Sequence, residues 1–361
     1  MHTQTKFRLL VVRLGAMGDI LHALPAVTAL RQMHPGWVID WVVEPRWKAL
    51  LASNETASQL PTNLARPVVD RLHLAPTRDW RKAAFSGKTI CEIKNLRQAL
   101  KDGDYDTVID LQGALRSAVL GKMAGCQRLI GEANPRESAA RWLFTERVET
   151  EGAHVIEQDV ELAAAVAGDD LKPVAPWLPV DAAAETWVEN ILPLHAAAPA
   201  VLINPGAGWG AKRWPAERYA TVAQGLMERG LRVLVNAGPG EEPLAETIVK
   251  SAGGTTSLHC TLEQLIALTR RVKLAIAGDT GPLHLACALG RPVVGIYGPT
   301  DPSRNGPYGT RFRVLRSPES RRDHTRHEAP EAGLLTIQPE DVLRAADELL
   351  APELPAKENA E

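Results

Sequence analysis

A chain of 361 residues exceeds what one hydrophobic core usually organises, so two α/β domains are expected. With 45% hydrophobic residues, 23% charged residues and a formal net charge of -2, the composition argues against a disordered chain and against a broad basic surface for nucleic acid. Four cysteines, at 91, 126, 260 and 287, are too scattered for a zinc pattern and too few for a disulfide scaffold, which fits free thiols in a reducing compartment. The polar lead Met1-His2-Thr3-Gln4-Thr5-Lys6 lacks the apolar region of a secretory signal, and no run approaches the ~18 apolar residues of a membrane span, so a cytoplasmic chain is expected.

Leu9-Leu10-Val11-Val12 predicts a buried strand, Leu14 to Asp19 a glycine-containing turn, and Ile20 to Met33 a helix with 3.6-residue apolar periodicity and Asp19 as its N-cap. Val38 to Val43 is the next strand, and 68–74 a weaker one. Thr107 to Leu111 reads as a buried parallel strand, followed by the turn Gln112-Gly113 and an Ala/Leu-rich helix to about Ala124. These elements make a first domain of residues 1–178.

The Pro-rich stretch 172–179 and Ala196-Ala197-Ala198-Pro199 mark a linker, placed at 179–198. A second domain, 199–361, repeats the scheme. It has a strand at Ala200 to Ile203, a loop with Gly206 and Gly208, a helix from about Pro215, a strand at Val233 to Asn236, a loop with Gly238 and Gly240, and a helix. Strands at Leu274 to Ala277 and Val293 to Tyr297 follow, then a polar loop between Arg316 and Leu334. The helix Val342 to Leu350 closes the chain and could pack back on the first domain. Two facing Rossmann-like domains with a cleft between them are the expected α/β architecture.

The densest chemistry lies in Gly278-Asp279-Thr280-Gly281-Pro282-Leu283-His284, at the carboxyl end of a strand and the start of a helix. Free helix-start N–H groups there can hold a phosphate, with Thr280, Gly281 and His284 best suited to it and Asp279 read as a loop-organising cap. Asn204 to Pro215 is a glycine-rich loop in which Gly206 permits close approach of a phosphate and Lys212, or its neighbour Arg213, can neutralise a departing diphosphate. Glu241 and Glu242 follow the next glycine pair; carboxylates repel phosphate, so sugar or ribose hydroxyls suit them better, or a helix start. Gly15-Ala16-Met17-Gly18-Asp19 lacks the spacing of a dinucleotide fingerprint, and no Walker pattern occurs. Asp19 is either a simple cap or a base for a substrate hydroxyl.

Arg78-Asp79-Trp80-Arg81-Lys82-Ala83-Ala84-Phe85-Ser86 joins positive charge to aromatic surface, as an anionic amphiphile would require, and Lys88, Lys94, Arg97 and Lys101 continue the charge or form a solvated helix face. Gln112 and Arg116 follow a strand end and face the same region. His324 and His327 lack a further ligand at metal-binding spacing.

Taken in order, the segments Val11 to Asp19 with Leu24-Pro25-Ala26, Asp40 to Glu44, Trp80-Arg81-Lys82, Asp110 to Gly113, Lys212-x-Trp214-Pro215, Asp279 to His284 and Tyr297 to Thr300 resemble the bacterial lipopolysaccharide heptosyltransferases, most nearly those adding the first heptose of the inner core. The resemblance covers nearly the whole chain. It implies the glycosyltransferase B architecture and an inverting, metal-independent transfer of L-glycero-D-manno-heptose from ADP-heptose to Kdo on lipid A, with no cofactor because the ADP-sugar is a substrate. It makes Asp19 the base and Lys212 the diphosphate cation. Gly206, Glu241 or Glu242, Asp279, Thr280, Gly281 and His284 then contact the donor. Gly18, Arg78, Trp80, Arg81, Lys82, Gln112 and Arg116 would meet the acceptor, with peripheral contact at the inner membrane. The loop Gly206-Ala207-Gly208-Trp209-Gly210 is richer in glycine than the resemblance leads one to expect. The remaining alternatives are a related heptosyl- or hexosyltransferase acting on another core acceptor, a noncatalytic sugar-nucleotide-binding protein, and an NAD-dependent sugar-nucleotide enzyme.

Overall fold

Strands that are apolar on both faces belong in parallel sheets covered by helices on either side. Leu9, Leu10, Val11 and Val12 are wholly buried, as are Ala275, Ile276 and Ala277. The computed structural model describes residues 6–53, 68–194, 198–320 and 328–352, so His324 and His327 lie outside the described residues.

The first half runs β1 (Arg8–Val12), α1 (Met17–Met33), β2 (Val38–Val43), β3 (Arg71–Leu74), α2 (Thr77–Lys82), α3 (Gly87–Asp102), β4 (Thr107–Asp110), α4 (Leu115–Met123), β5 (Leu129–Glu132), β6 (Glu146–Val148) and α5 (Val155–Ala167). Its six strands pair in parallel in the order β3-β2-β1-β4-β5-β6, with Val11 opposite Trp41 on one side and Ile109 on the other. The chain continues through α6 (Ala182–Ile191), β7 (Ala200–Asn204), α7 (Ala216–Glu228), β8 (Arg232–Asn236), α8 (Glu242–Ala252), β9 (Thr256–Leu258), α9 (Leu262–Arg271), β10 (Leu274–Gly278), α10 (Gly281–Ala288), β11 (Val293–Tyr297), α11 (Pro302–Asn305), β12 (Phe312–Arg316) and α12 (Pro339–Leu350). The second sheet, again parallel, has the order β12-β11-β10-β7-β8-β9. Counted from its own first strand, that is the same doubly wound order as the first sheet.

Two compact units result, divided between Trp187 and Val188, with Leu262–Ala267 and Ser303–Asn305 grouped with the first. The division falls inside α6, in a stretch read from the sequence as linker. A helix forms there because Ala182-Ala183-Ala184-Glu185 are strong helix formers and the Asp181 carboxylate accepts the Ala184 N–H at 3.0 Å. The Pro-rich stretch before it is anchored to the first unit, Trp177 N–H donating to the Thr28 hydroxyl of α1 at 3.2 Å. Helix α12 packs on α7 and on β10, β11 and β12 of the second unit, where the sequence left a return to the first domain open. Its apolar face, Val342, Ala345, Ala346 and Leu349, belongs to the same core as Val201, Ile203 and Leu226.

One polar cluster is buried in the first sheet. The Tyr105 hydroxyl donates to Asp40 at 2.6 Å and stands 2.7 Å from His73 Nε2, joining β2, β3 and the entry to β4. Burial pushes the Asp40 pKa up, but the hydrogen bonds from His73 and Tyr105 outweigh it and hold the carboxyl below its ordinary value. Tyr105→Phe leaves that carboxylate short of a donor, so the variant should lose about 1–3 kcal/mol of stability, read from urea unfolding. An unchanged midpoint would show that the cluster contributes nothing net.

Candidate active site

In a doubly wound sheet the loops leaving the two central strands part in opposite directions, and a ligand crevice opens at their carboxyl ends. In the first unit those strands are β1 and β4. Leu14 N–H, after β1, donates to Gln112 Oε1, after β4, at 2.7 Å, so the two loops are tied directly. The β4 turn is organised by Asp110, whose Oδ1 accepts from Gln112 N–H at 2.8 Å, Gly113 N–H at 2.9 Å and the Ser117 hydroxyl at 3.1 Å. Burial raises the Asp110 pKa to about 6 despite the bonds from Gly113, Ser117 and Gln112, which lower it.

Asp19 is not the N-cap. Helix α1 starts at Met17, Ala16 holds the cap position, and Asp19 is the third helical residue, its Oδ2 accepting the Ala16 N–H at 2.8 Å. Gly15 before it has φ +145°, and a Cβ there would stand 2.5 Å from the Trp47 indole nitrogen, so only glycine fits. Arg13, nearly buried, holds Asp19 twice: Nε donates to its carbonyl at 3.2 Å and a terminal nitrogen lies 3.6 Å from its carboxylate. Gly18, a candidate acceptor contact, is the neighbouring half-buried residue of the same turn. Arg13 was missed by the sequence reading. The available signal was an arginine placed directly after an apolar strand.

A second carboxylate near this turn was also missed. Asp159 of α5 is 3% exposed and its Oδ2 has no hydrogen-bond partner. Burial raises its pKa to about 7; Arg13 lowers it, while Asp19 and Glu132 raise it further.

In the second unit the central strands are β7 and β10, and the connection between their loops is ionic. Lys212, in a short helical turn at Gly210–Lys212, pairs with the Asp279 carboxylate after β10, and its ammonium lies 4.4 Å from the centre of the Trp209 ring. The other Asp279 oxygen is 3.3 Å from His284 Nε2, one turn into α10. Burial opposes the Asp279 charge, but the His284 hydrogen bond and the Lys212 charge overcome it, holding the carboxyl well below the ordinary range. Thr280 takes the cap position of α10, its hydroxyl donating to Gly278 O at 3.2 Å, and Gly281 is the first helical residue. The amides at that helix start form an anion-binding end beside Lys212.

Glu241 Oε2 accepts the Gly238 N–H at 2.9 Å, and a Cβ on Gly206 would land on the Glu241 carboxylate, so Gly206 makes room for that side chain. Glu242 accepts its own N–H and, at 3.1 Å, the Gly240 N–H, and these two backbone bonds hold its pKa below the usual value. Asn204 and Asn236, at the ends of β7 and β8, bond at 3.0 Å and leave the buried Asn204 Nδ2 without a partner. Tyr297 Oη and Thr300 Oγ1 are likewise buried and unpartnered at the end of β11.

The acceptor candidates do not behave alike. Arg78, Arg81, Lys82 and Arg116 are exposed, and Lys82 is 3.6 Å from Asp79. Trp80 is not aromatic surface: it packs with Leu96, Leu100, Ala118 and Phe144, and its indole donates to Glu92 at 2.8 Å. The short helix turns the tryptophan inward because its basic neighbours point outward. The exposed ring in this stretch is Phe85, at 97%. Gln112 is buried with its amide oxygen engaged by Leu14. Among the described residues, no three His, Cys, Asp or Glu side chains converge as a metal site, and no helix is long and apolar enough to cross a membrane.

Two doubly wound parallel units, the second presenting a cation and a helix start at its switch point, define a glycosyltransferase of the B architecture, an enzyme class built around nucleotide-sugar donors. The chain belongs to glycosyltransferase family 9, the heptosyltransferases, whose sequence profile matches residues 93–334. It is 33% identical over 317 residues to lipopolysaccharide heptosyltransferase 1 of Escherichia coli K12, covering 86% of this chain and 94% of that one. The solved E. coli heptosyltransferase WaaC with ADP superposes with a TM-score of 0.77 at 29% identity, covering 95% of this chain and all of that one. The same enzyme with ADP-2-deoxy-2-fluoro heptose gives a TM-score of 0.75 at 30% identity, over 95% of this chain and 99% of that one. This chain is therefore a glycosyltransferase, which sets aside the noncatalytic and NAD-dependent alternatives.

Two measurements check the electrostatics. Lys212→Ala leaves Asp279 with His284 alone and should cost about 2–3 kcal/mol, less than the ~3–5 kcal/mol of breaking a fully buried pair. Adding Asp279→Asn should restore part of it in a double-mutant cycle, whereas additive losses would deny the coupling. Because the folded pKa of Asp159 lies above its unfolded value, the folded state binds the extra proton and stability falls as pH rises from about 4 to about 7. Asp159→Asn should remove that slope from a series of melting temperatures, and an unaltered slope would place its origin elsewhere.

Proposed function

We propose that this enzyme transfers L-glycero-D-manno-heptose from ADP-heptose to a Kdo residue of the lipopolysaccharide inner core. The observation that carries the reading is the Lys212–Asp279–His284 arrangement beside the start of α10, in a chain of this family. The similarity to lipopolysaccharide heptosyltransferase 1 and to WaaC solved with ADP or a fluorinated ADP-heptose supports the choice of donor and of the core as acceptor.

The reaction is read as a single displacement with inversion. The acceptor hydroxyl attacks the anomeric carbon, the bond from that carbon to the diphosphate oxygen breaks, and the hydroxyl proton passes to Asp19. Ala16 N–H and Arg13 orient the Asp19 carboxylate. Asp19 acts through placement and takes the proton as the acceptor oxygen turns acidic late in attack. The electrons leaving with ADP meet the Lys212 ammonium and the amides of Thr280 and Gly281, so the cation here is a side chain and no metal is invoked. Asp279 and His284 position Lys212. Gly206 gives room at the donor loop, and Glu241 and Glu242 each keep acceptor capacity for donor hydroxyls beyond the backbone amides they accept. Arg78, Arg81, Lys82 and Arg116 are the cations for an acidic acceptor, with Gly18 and Gln112 shaping the loops below them. A lipid-anchored acceptor of this kind brings the enzyme to the cytoplasmic face of the inner membrane.

The test is transfer from ADP-heptose to Kdo2-lipid A in detergent, following ADP release and the mass of the glycolipid. A heptose-sized gain is expected, with turnover falling roughly 10²–10⁴-fold in Asp19→Ala while ADP affinity holds. Full activity in the variant would reject Asp19 as base. No gain from folded protein would reject the donor–acceptor pair and send the search to other nucleotide sugars.

A further inference from the structure

The two faces of the first sheet are clothed differently. Helices α1 and α5 pack on each other, and α1 is buried nearly all round. The layer that includes Leu96, Leu100, Ala118, Leu120 and Phe144 is instead covered by α2, α3, α4 and the turn Ser138–Trp142, which packs on α4. Helices α2, α3 and α4 together carry nine Lys and Arg against three Asp and Glu, in a chain whose formal net charge is -2. The positive charge is therefore concentrated on one face.

That face also exposes large apolar side chains. Phe85 is 97% exposed, Trp142 69%, Ile90 45% and Val119 40%. The Arg141 and Arg147 guanidinium groups lie 4.9 and 5.6 Å from the Trp142 ring centre, so the indole stands among cations. Isolated exposed hydrophobics need no explanation, but several of them set in a basic face meet a defined chemical requirement. A surface of aromatic and aliphatic tips ringed by Lys and Arg matches the boundary of an anionic bilayer, where tips enter at headgroup depth and cations meet lipid phosphates.

We propose that the α3–α4 face of the first unit, with Phe85 and Trp142 as its apolar anchors, rests on a membrane of anionic phospholipid. A second copy of the same face would set basic surface against basic surface. Nucleic acid would use the cations and leave Phe85 and Trp142 in water. The inference rests on the reading of a lipid-anchored acceptor and names the surface on which such an acceptor is met.

Flotation of the full chain with vesicles that hold no glycolipid separates this inference from the transfer chemistry. Binding is expected to phosphatidylglycerol-containing vesicles at low ionic strength, to fall as salt is raised, and to be weak on pure phosphatidylcholine. The pair Lys94→Glu and Lys101→Glu should weaken binding roughly tenfold or more, at about 1 kcal/mol per cation lost. Phe85→Ser with Trp142→Ser should weaken it roughly tenfold. All four side chains are exposed, so both variants should keep the parent melting temperature. Absence of binding to anionic vesicles, or equal binding by parent and variants, overturns the proposal. So does a parent dimer in sedimentation that these substitutions dissociate. Vesicle binding by a chain that transfers no heptose would instead sink the acceptor reading alone.

Discussion

Asp279 ends a strand with no exposed surface, and a carboxylate in that place is tolerated only because Lys212 and His284 meet it from two directions. Much of the second unit's chemistry hangs on that requirement. Satisfying Asp279 draws the β7 loop across to β10, fixes His284 within the first turns of α10, and leaves a lysine beside free helix-start amides. The arrangement is thus structural and electrostatic at once: the ion pair that closes the loop also holds a cation where an anion would bind. The first unit solves the same topological problem without charge. There Gln112 spans from β4 to the Leu14 amide after β1, and Asp110 collects the donors of its own turn. One doubly wound order, used twice, yields a neutral tie between the central loops of the first unit and an ionic tie between those of the second.

The parallel sheets were legible in the sequence because central strands buried on both faces appear as unbroken apolar runs followed by glycine. Val38 to Val43 and Val293 to Tyr297 were read with their boundaries intact. Of the edge strands, β3 was read as the weaker strand at 68–74, whereas β6, β9 and β12 were not found, nor was β5 inside the first sheet. β6 and β9 are three residues each and half-exposed, and β12 alternates basic with apolar residues, so none carries that signal. Helix α6 was hidden by its setting, since the prolines before it and the alanines after it read as linker, although its own residues favour helix.

Site residues divided along the same line. Lys212, Asp279, Thr280 and His284 lie in the loop after β7 and in the turn and helix start after β10, strands the sequence made plain, and the structure brings Lys212 and His284 to Asp279. Trp80 misled because composition cannot say which side of a two-turn helix faces the sheet. Its ring is core, and Arg78, Arg81 and Lys82 stand exposed around it. Arg13 and Asp159 went unnoticed because their importance is relational. An arginine after β1 and an aspartate two turns away from any motif acquire meaning only when folding sets both near Asp19.

That relation is electrostatic and centres on Arg13. Asp19 accepts the Ala16 N–H at 2.8 Å and lies 3.6 Å from the Arg13 guanidinium. Asp159 stands behind the same arginine: desolvation raises its pKa to about 7, Arg13 lowers it and Asp19 raises it, so its charge changes near neutrality. A buried acid that titrates near neutrality therefore lies in the field of both Arg13 and Asp19, which act on its proton in opposite directions.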